Sequence, residues 1–201
     1  MDAIKERDPY KIIKELLNGN LRYLEGLRLC DVSALRRASI SHEQNPIAAV
    51  LGCSDSRVPP EHIFDKGLGE LFVIRTAGHV VGEFEIGSLE YACKHLKIPL
   101  ILVLGHTGCG AVKAAVSGVK EEGGLNAVID GIKPAVVKAL TGASPMSHDE
   151  LVNKTVLYHV KLTVSRIMDE SEIIRKTVQD GGVAVMGAVY DLYTGRVSLL
   201  D

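Results

Sequence analysis

Apolar residues recur along this chain in two periods, and the switch between them marks out the elements. Ile12, Ile13, Leu16, Leu17, Leu21 and Leu24 keep helical spacing across residues 9–25. Asp8-Pro9 supplies a cap and a first-turn proline ahead of them. A polar connector, DVSALRRASISHEQNP, follows. IAAVLG, ELFVIRTAG and PLILVLGH are then short continuous apolar runs, the pattern of strands covered on both faces. FEIGSLEYACKHLK reads as an amphipathic helix, and GCGAVKAAV opens another. Residues 125–140 and 149–179 read as helical, separated by the breaker-rich TGASPMS. VAVMGAVYDLYTGRVSLLD predicts a strand, a Tyr-Thr-Gly turn and a short terminal strand.

Strands alternating with helices predict an α/β fold, a central mainly parallel sheet flanked by helices. With no repeat, low-complexity tract or linker in sight, the chain reads as one domain. Residues 1–45 form a helical arm and connector, and residues 46–201 the α/β core. The long polar connector leaves the arm free to pack on a neighbouring subunit.

Composition narrows the function classes. A net charge of −2 gives no basic field, which argues against nucleic acid or anionic membrane as partners. No run reaches the ~18 or more apolar residues of a membrane span, and MDAIKERDPYK has no apolar signal core. The expected location is cytoplasmic, where the four cysteines at 30, 53, 93 and 109 read as core thiols or metal ligands.

Two strand ends carry the chemistry. AVLGCSDSRVPPE turns from apolar to polar within two residues, setting Cys53, Asp55 and Arg57 at a strand lip. LILVLGHTGCGAV does the same with His106 and Cys109. Ligand sites in open α/β sheets sit at that carboxyl edge, so Cys53, His106 and Cys109 can converge on one ion. Two thiolates and an imidazole suit zinc, with a fourth position left for water. Cys109 would open a helix whose dipole favours a thiolate, and Gly105, Gly108 and Gly110 allow close approach of the backbone. Cys93 shares a helical stripe with Leu89, Ala92 and Leu96 and reads as packing. His95, His148 and His159 read as surface or helix residues, and His62 and His79 are candidate proton shuttles.

CSDSRVPPE followed by GHTGCGAV resembles the β-class carbonic anhydrases, through nearly the whole chain. The resemblance implies carbon dioxide hydration to bicarbonate and a proton. It also implies one zinc per subunit held by Cys53, His106 and Cys109, with Asp55 and Arg57 as a catalytic dyad. Asp55 would take the proton of the attacking group while Arg57 keeps it ionised; swung onto zinc, it would instead shut the site. A formally neutral site should favour alkaline activity. By the same resemblance Gln44, Phe72, Ala77, Gly78, Tyr91 and Gly108 line the substrate pocket, partly across the interface of a homodimer or dimer of dimers joined by a swapped arm. The match is to the plant-like branch, since Val50 stands where the bicarbonate-inhibited bacterial branch has tryptophan, although Tyr190 matches a tyrosine of that regulatory site. Carbonyl sulfide or carbon disulfide hydrolysis on the same ligands, and a non-catalytic zinc-binding homologue, stay open.

Overall fold

The two apolar runs with reactive ends become adjacent parallel strands in the computed structural model, which describes residues 8–201. The first seven residues of the arm, most of the segment read for a signal, lie outside the described residues. Helix α1 spans Pro9–Leu24, capped by the Asp8 side chain, which accepts from the Tyr10 N–H at 2.9 Å. A short α2, Ala34–Ser39, lies in the polar connector. The sheet strands are β1 (Ala48–Cys53), β2 (Leu71–Thr76), β3 (Leu100–His106), β4 (Ala184–Tyr190) and β5 (Val197–Leu200). Between them run α3 (Pro60–Ile63), α4 (Glu83–Lys94), α5 (Gly110–Ser117), α6 (Gly123–Leu140), α7 (His148–Glu170) and α8 (Glu172–Gln179).

The strand order is β2-β1-β3-β4-β5, parallel except for β5. Every residue of β1 and β3 is buried, as continuous apolar runs require of central strands. β2 forms one edge and is half-buried throughout. From β1 the chain crosses to β2 on one side, whereas from β3 it crosses to β4 on the other. The loops leaving β1 and β3 therefore diverge, and the crevice at their carboxyl ends is the topological switch point of the sheet.

Two glycines set the layer above it. A Cβ on Gly105 would lie 2.5 Å from the Val160 side chain, and one on Gly187 2.7 Å from it. Their absence lets α7 press closely onto β3 and β4. The expected helix over 149–179 breaks at Ser171, whose hydroxyl accepts from the Ile174 N–H and donates to Glu90 at 2.6 Å.

Helix α1 seats on its own chain, with Leu16 fully buried. Asn20 donates to the carbonyls of Ile63 and Gly195 and accepts from the Val197 N–H. Arg22 pairs with Asp65 at 2.5 Å. Gly19 meets the Phe64 carbonyl so closely that no side chain fits. An apolar stripe at helical spacing predicts that a helix is covered, and here the cover comes from residues 63–65 and 195–197 of the same chain.

Candidate metal centre

Cys53 ends β1, His106 ends β3, and Cys109 caps α5. Their ligand atoms lie within 4.8 Å of one another, and all three residues are buried. The two sulfurs are 3.9 Å apart, far beyond a disulfide bond of about 2.05 Å. Two Zn–S bonds of about 2.3 Å at a tetrahedral angle would place the sulfurs roughly 3.8 Å apart.

The histidine tautomer fits as well. His106 Nδ1 lies 3.0 Å from the Thr107 carbonyl, which only accepts, so Nδ1 carries the proton. The lone pair of Nε2 then faces the sulfurs, buried and without any hydrogen-bond partner. A buried imidazole nitrogen left bare costs stability unless something binds it. A carbonyl that orients a ring through its other nitrogen is the usual support of a metal-bound histidine. The donor set therefore suits a thiophilic dication.

Charge is shared unevenly between the sulfurs. Cys53 is driven well below an ordinary thiol by its hydrogen bond with Cys109, against burial and with help from the N–H groups of Asp55 and Gly78. Cys109 is pushed up by its hydrogen bond with Cys53 and by burial, which outweigh the amides of Ala111 and Val112 at the start of α5. The helix terminus pulls in the expected direction, but a second negative sulfur 3.9 Å away is the stronger influence.

Asp55 stands beside this group rather than in it. Arg57 donates to it three times, from the backbone N–H at 3.0 Å, from Nε at 2.9 Å and from Nη2 at 2.6 Å. Hydrogen bonding from Arg57 holds the carboxyl far below the usual range despite partial burial. Its Oδ2 lies 3.9 Å from His106 Nε2, close to the ligand atoms but directed at Arg57.

Several supports escaped the sequence reading. Arg75, inside the ELFVIR run, donates from Nε to the Cys53 carbonyl at 2.7 Å and from Nη2 to that of Asp55. It thus braces the loop carrying ligand and carboxylate. Asn153 on α7 accepts from the Gly108 N–H at 3.1 Å. Gly78 closes a turn over Ala77–His79, where the expected strand has already ended at Thr76.

Burial separates the histidines. His159 is a buried α7 residue whose ring reaches the Gly78 carbonyl. His79 is fully buried with neither nitrogen partnered, so it has no route to solvent as a shuttle. His62 is exposed, its Nδ1 accepting from Arg28.

The expected pocket residues divide. Ala77, Gly78 and Gly108 belong to the loops around the ligand atoms, and Gly78 donates directly to Cys53 Sγ. Phe72 pairs in register with Ala49, four residues before the Thr76–Cys53 pair, which is about 13 Å along the strand. It stacks with Tyr91 at 6.3 Å, and both line an open groove of about 810 Å³ beside Phe84 and Glu90. Gln44 is exposed before β1. One chain alone does not bring these three to Cys53.

A mainly parallel α/β sheet with a two-sulfur, one-nitrogen group able to hold a metal at its switch point, and an arginine-held carboxylate beside it, fits a class of metal-dependent catalysts. The comparisons make the class specific. The carbonic anhydrase family profile matches residues 48–197. A carbonic anhydrase from Mycolicibacterium smegmatis is 40% identical over 197 residues, covering 96% of this chain and 93% of that protein. Carbonic anhydrase 2 of Mycobacterium tuberculosis is 38% identical over 200 residues, covering 96% and 94%. Among solved structures, a Coccomyxa beta-carbonic anhydrase in complex with acetazolamide matches with a TM-score of 0.73 at 34% identity, covering 81% of this chain and 75% of that one. A beta-carbonic anhydrase from Sordaria macrospora, one of two described as tetrameric, matches with a TM-score of 0.73 at 26% identity, covering 81% and 84%. The chain belongs to the carbonic anhydrase family, metal-dependent lyases whose general reaction is carbon dioxide hydration.

Proposed function

We propose that this chain is a zinc-dependent carbonic anhydrase interconverting carbon dioxide and water with bicarbonate and a proton. The observation that carries the reading is the convergence of Cys53 Sγ, Cys109 Sγ and the unpartnered His106 Nε2 within 4.8 Å. Zinc, when bound, supplies the Lewis acidity that makes water nucleophilic near neutral pH. Cys53, His106 and Cys109 hold it. Asp55 Oδ2 accepts the proton that would otherwise mask the attacking lone pair, and Arg57 keeps that carboxylate ionised and aimed. The Gly78 and Gly108 turns bring backbone rather than side chains to the substrate side.

The split pocket supports a second copy of the chain. Phe72 and Tyr91 lie on the β2 and α4 edge, where Phe84 is 84% exposed and Tyr91 47%. Large apolar side chains clustered on a surface mark an interface. A homodimer across this face, alone or as a dimer of dimers, supplies Gln44, Phe72 and Tyr91 as walls of the neighbouring site. All four cysteines are free thiols, which suits a reducing, cytoplasmic setting. The placement in the plant-like branch rests on Val50, fully buried in β1, where the bicarbonate-inhibited branch has tryptophan; the hydroxyl of Tyr190, which matches a tyrosine of that regulatory site, faces that of Tyr23 at 3.1 Å. No bicarbonate switch is expected, so inhibition by bicarbonate should be hyperbolic; a sigmoidal inhibition curve would contradict this placement.

Stopped-flow hydration by the zinc-loaded protein tests the function, with carbonyl sulfide and carbon disulfide in parallel. Fast carbon dioxide turnover, rising towards alkaline pH, is expected. Turnover of only the sulfur substrates would redirect the reading to a hydrolase. Stoichiometric zinc with no turnover would reduce it to a binding protein.

A further inference from the structure

Behind Cys53 lies a second imidazole pair that the proposed reaction does not use. Gly78 is left-handed at φ 64°, and a Cβ there would come within 2.8 Å of Ile132 and 3.0 Å of Ala111. His79 follows at φ 46°, a conformation L-residues enter at a cost of about 1–2 kcal/mol. Consecutive left-handed residues persist only where their surroundings over-determine them. Here the grip comes from two sides. The Gly78 N–H donates to Cys53 Sγ at 3.3 Å, and the Gly78 carbonyl meets His159 Nε2 at 2.8 Å. The ring of His79 packs against that of His159, centroids 4.4 Å apart.

The protonation state follows from burial. Burial pushes both rings down, His159 to about 4 and His79 well below its ordinary value, so both are neutral wherever the protein is folded and working. A neutral ring has one N–H, and a carbonyl can only accept. The proton of His159 is therefore on Nε2. A glycine is otherwise free to rotate about its own bonds, so this hydrogen bond fixes the carbonyl side of Gly78 and, through the Gly78 Cα, helps set the direction of the N–H that faces sulfur.

We infer that His159 is a positioning residue for the ligand sulfur of Cys53, acting through Gly78 with His79 as the wall against its ring. The assignment rests on the metal-site reading above. N–H donation to a thiolate withdraws electron density from sulfur, so His159 tunes how strongly Cys53 donates to a bound metal without touching it. The close seating of α7 on Gly105 and Gly187 through Val160, the next residue, keeps the ring at this height.

The test compares cobalt(II)-loaded wild type, His159→Gln and His159→Phe. Glutamine can donate from nearly the same place, whereas phenylalanine fills the space and cannot. The thiolate-to-cobalt charge-transfer band should move to longer wavelength in H159F and return to the wild-type position in H159Q. Zinc affinity by chelator competition should fall about tenfold in H159F, the lower end of the loss for a partner that orients a ligand. A folded H159F with an unmoved band, or an equal shift in H159Q, overturns the assignment. Absence of any such band in the wild type would overturn the metal-site reading instead. Should H159F fail to fold, the ¹⁵N shifts of His159 in zinc-loaded wild type decide: an Nε2–H tautomer supports the inference, and an Nδ1–H tautomer overturns it.

Discussion

Cys53 and Cys93 are equally hidden, at 4% and 5% exposed, yet the fold treats them in opposite ways. Cys93 faces the apolar interior of α4, and burial, helped by Glu90, pushes its thiol up to about 12. Cys53 suffers burial too, but Cys109 and the backbone N–H groups of Asp55 and Gly78 face its sulfur and carry it far below an ordinary thiol. Burial by itself makes a thiol inert. Donors assembled from three separate stretches of chain fit an equally buried thiol to serve as the proposed metal ligand.

The same substitution at both positions gives the sharpest break. Cys53→Ser should take zinc from stoichiometric to trace and abolish hydration, read by metal analysis and stopped flow. Cys93→Ser should keep full metal and rate while losing about 1–3 kcal/mol of stability, the cost of a buried hydroxyl without a partner. Metal loss in the Cys93 variant would mean that burial, not donors, is the distinction. Next in size comes Asp55→Ala, which should retain zinc and lose about 10²–10⁴-fold in rate, the range for a positioned proton acceptor. If zinc leaves with the carboxylate, Asp55 is a ligand rather than a neighbour. Arg57→Gln should cost less, about 10- to 100-fold, because Asp55 stays in place without its orienting partner.

How far all this was legible follows from where each signal lies in the chain. The convergence of Cys53, His106 and Cys109 beside the Asp55–Arg57 pair was readable because each group sits at the abrupt end of an apolar run, and a parallel sheet aligns such ends. Arg75, Asn153 and His159 were not. Their targets are backbone atoms 20, 45 and 81 residues away, and no spacing rule relates a side chain to a distant carbonyl or N–H. His159 read only as a surface or helix residue, because the depth of α7 is set by absent side chains at Gly105 and Gly187. Gln44, Phe72 and Tyr91 were readable as residues but not as a place, since a single chain leaves them remote from Cys53.

The smallest effect concerns the histidines on the far side of Gly78, where burial outweighs the one carbonyl that faces His159. His159 and His79 are held neutral in the folded protein, His159 down to about 4 from an ordinary 6.5. Unfolded, each takes a proton as pH falls below about 6.5. Between roughly 6.5 and 4 the unfolded state therefore binds more protons, so stability rises with pH through this window and drains away on acidification. The slope is at most about 1.4 kcal/mol per pH unit for each histidine. Urea unfolding across this range, with chelator present so that metal release does not enter, should show the decline in wild type. His159→Gln should have a shallower slope, by about one histidine's share. An unchanged slope would mean that the His159 ring is charged in the folded state, and the Gly78 carbonyl would then be facing a cation rather than a neutral donor.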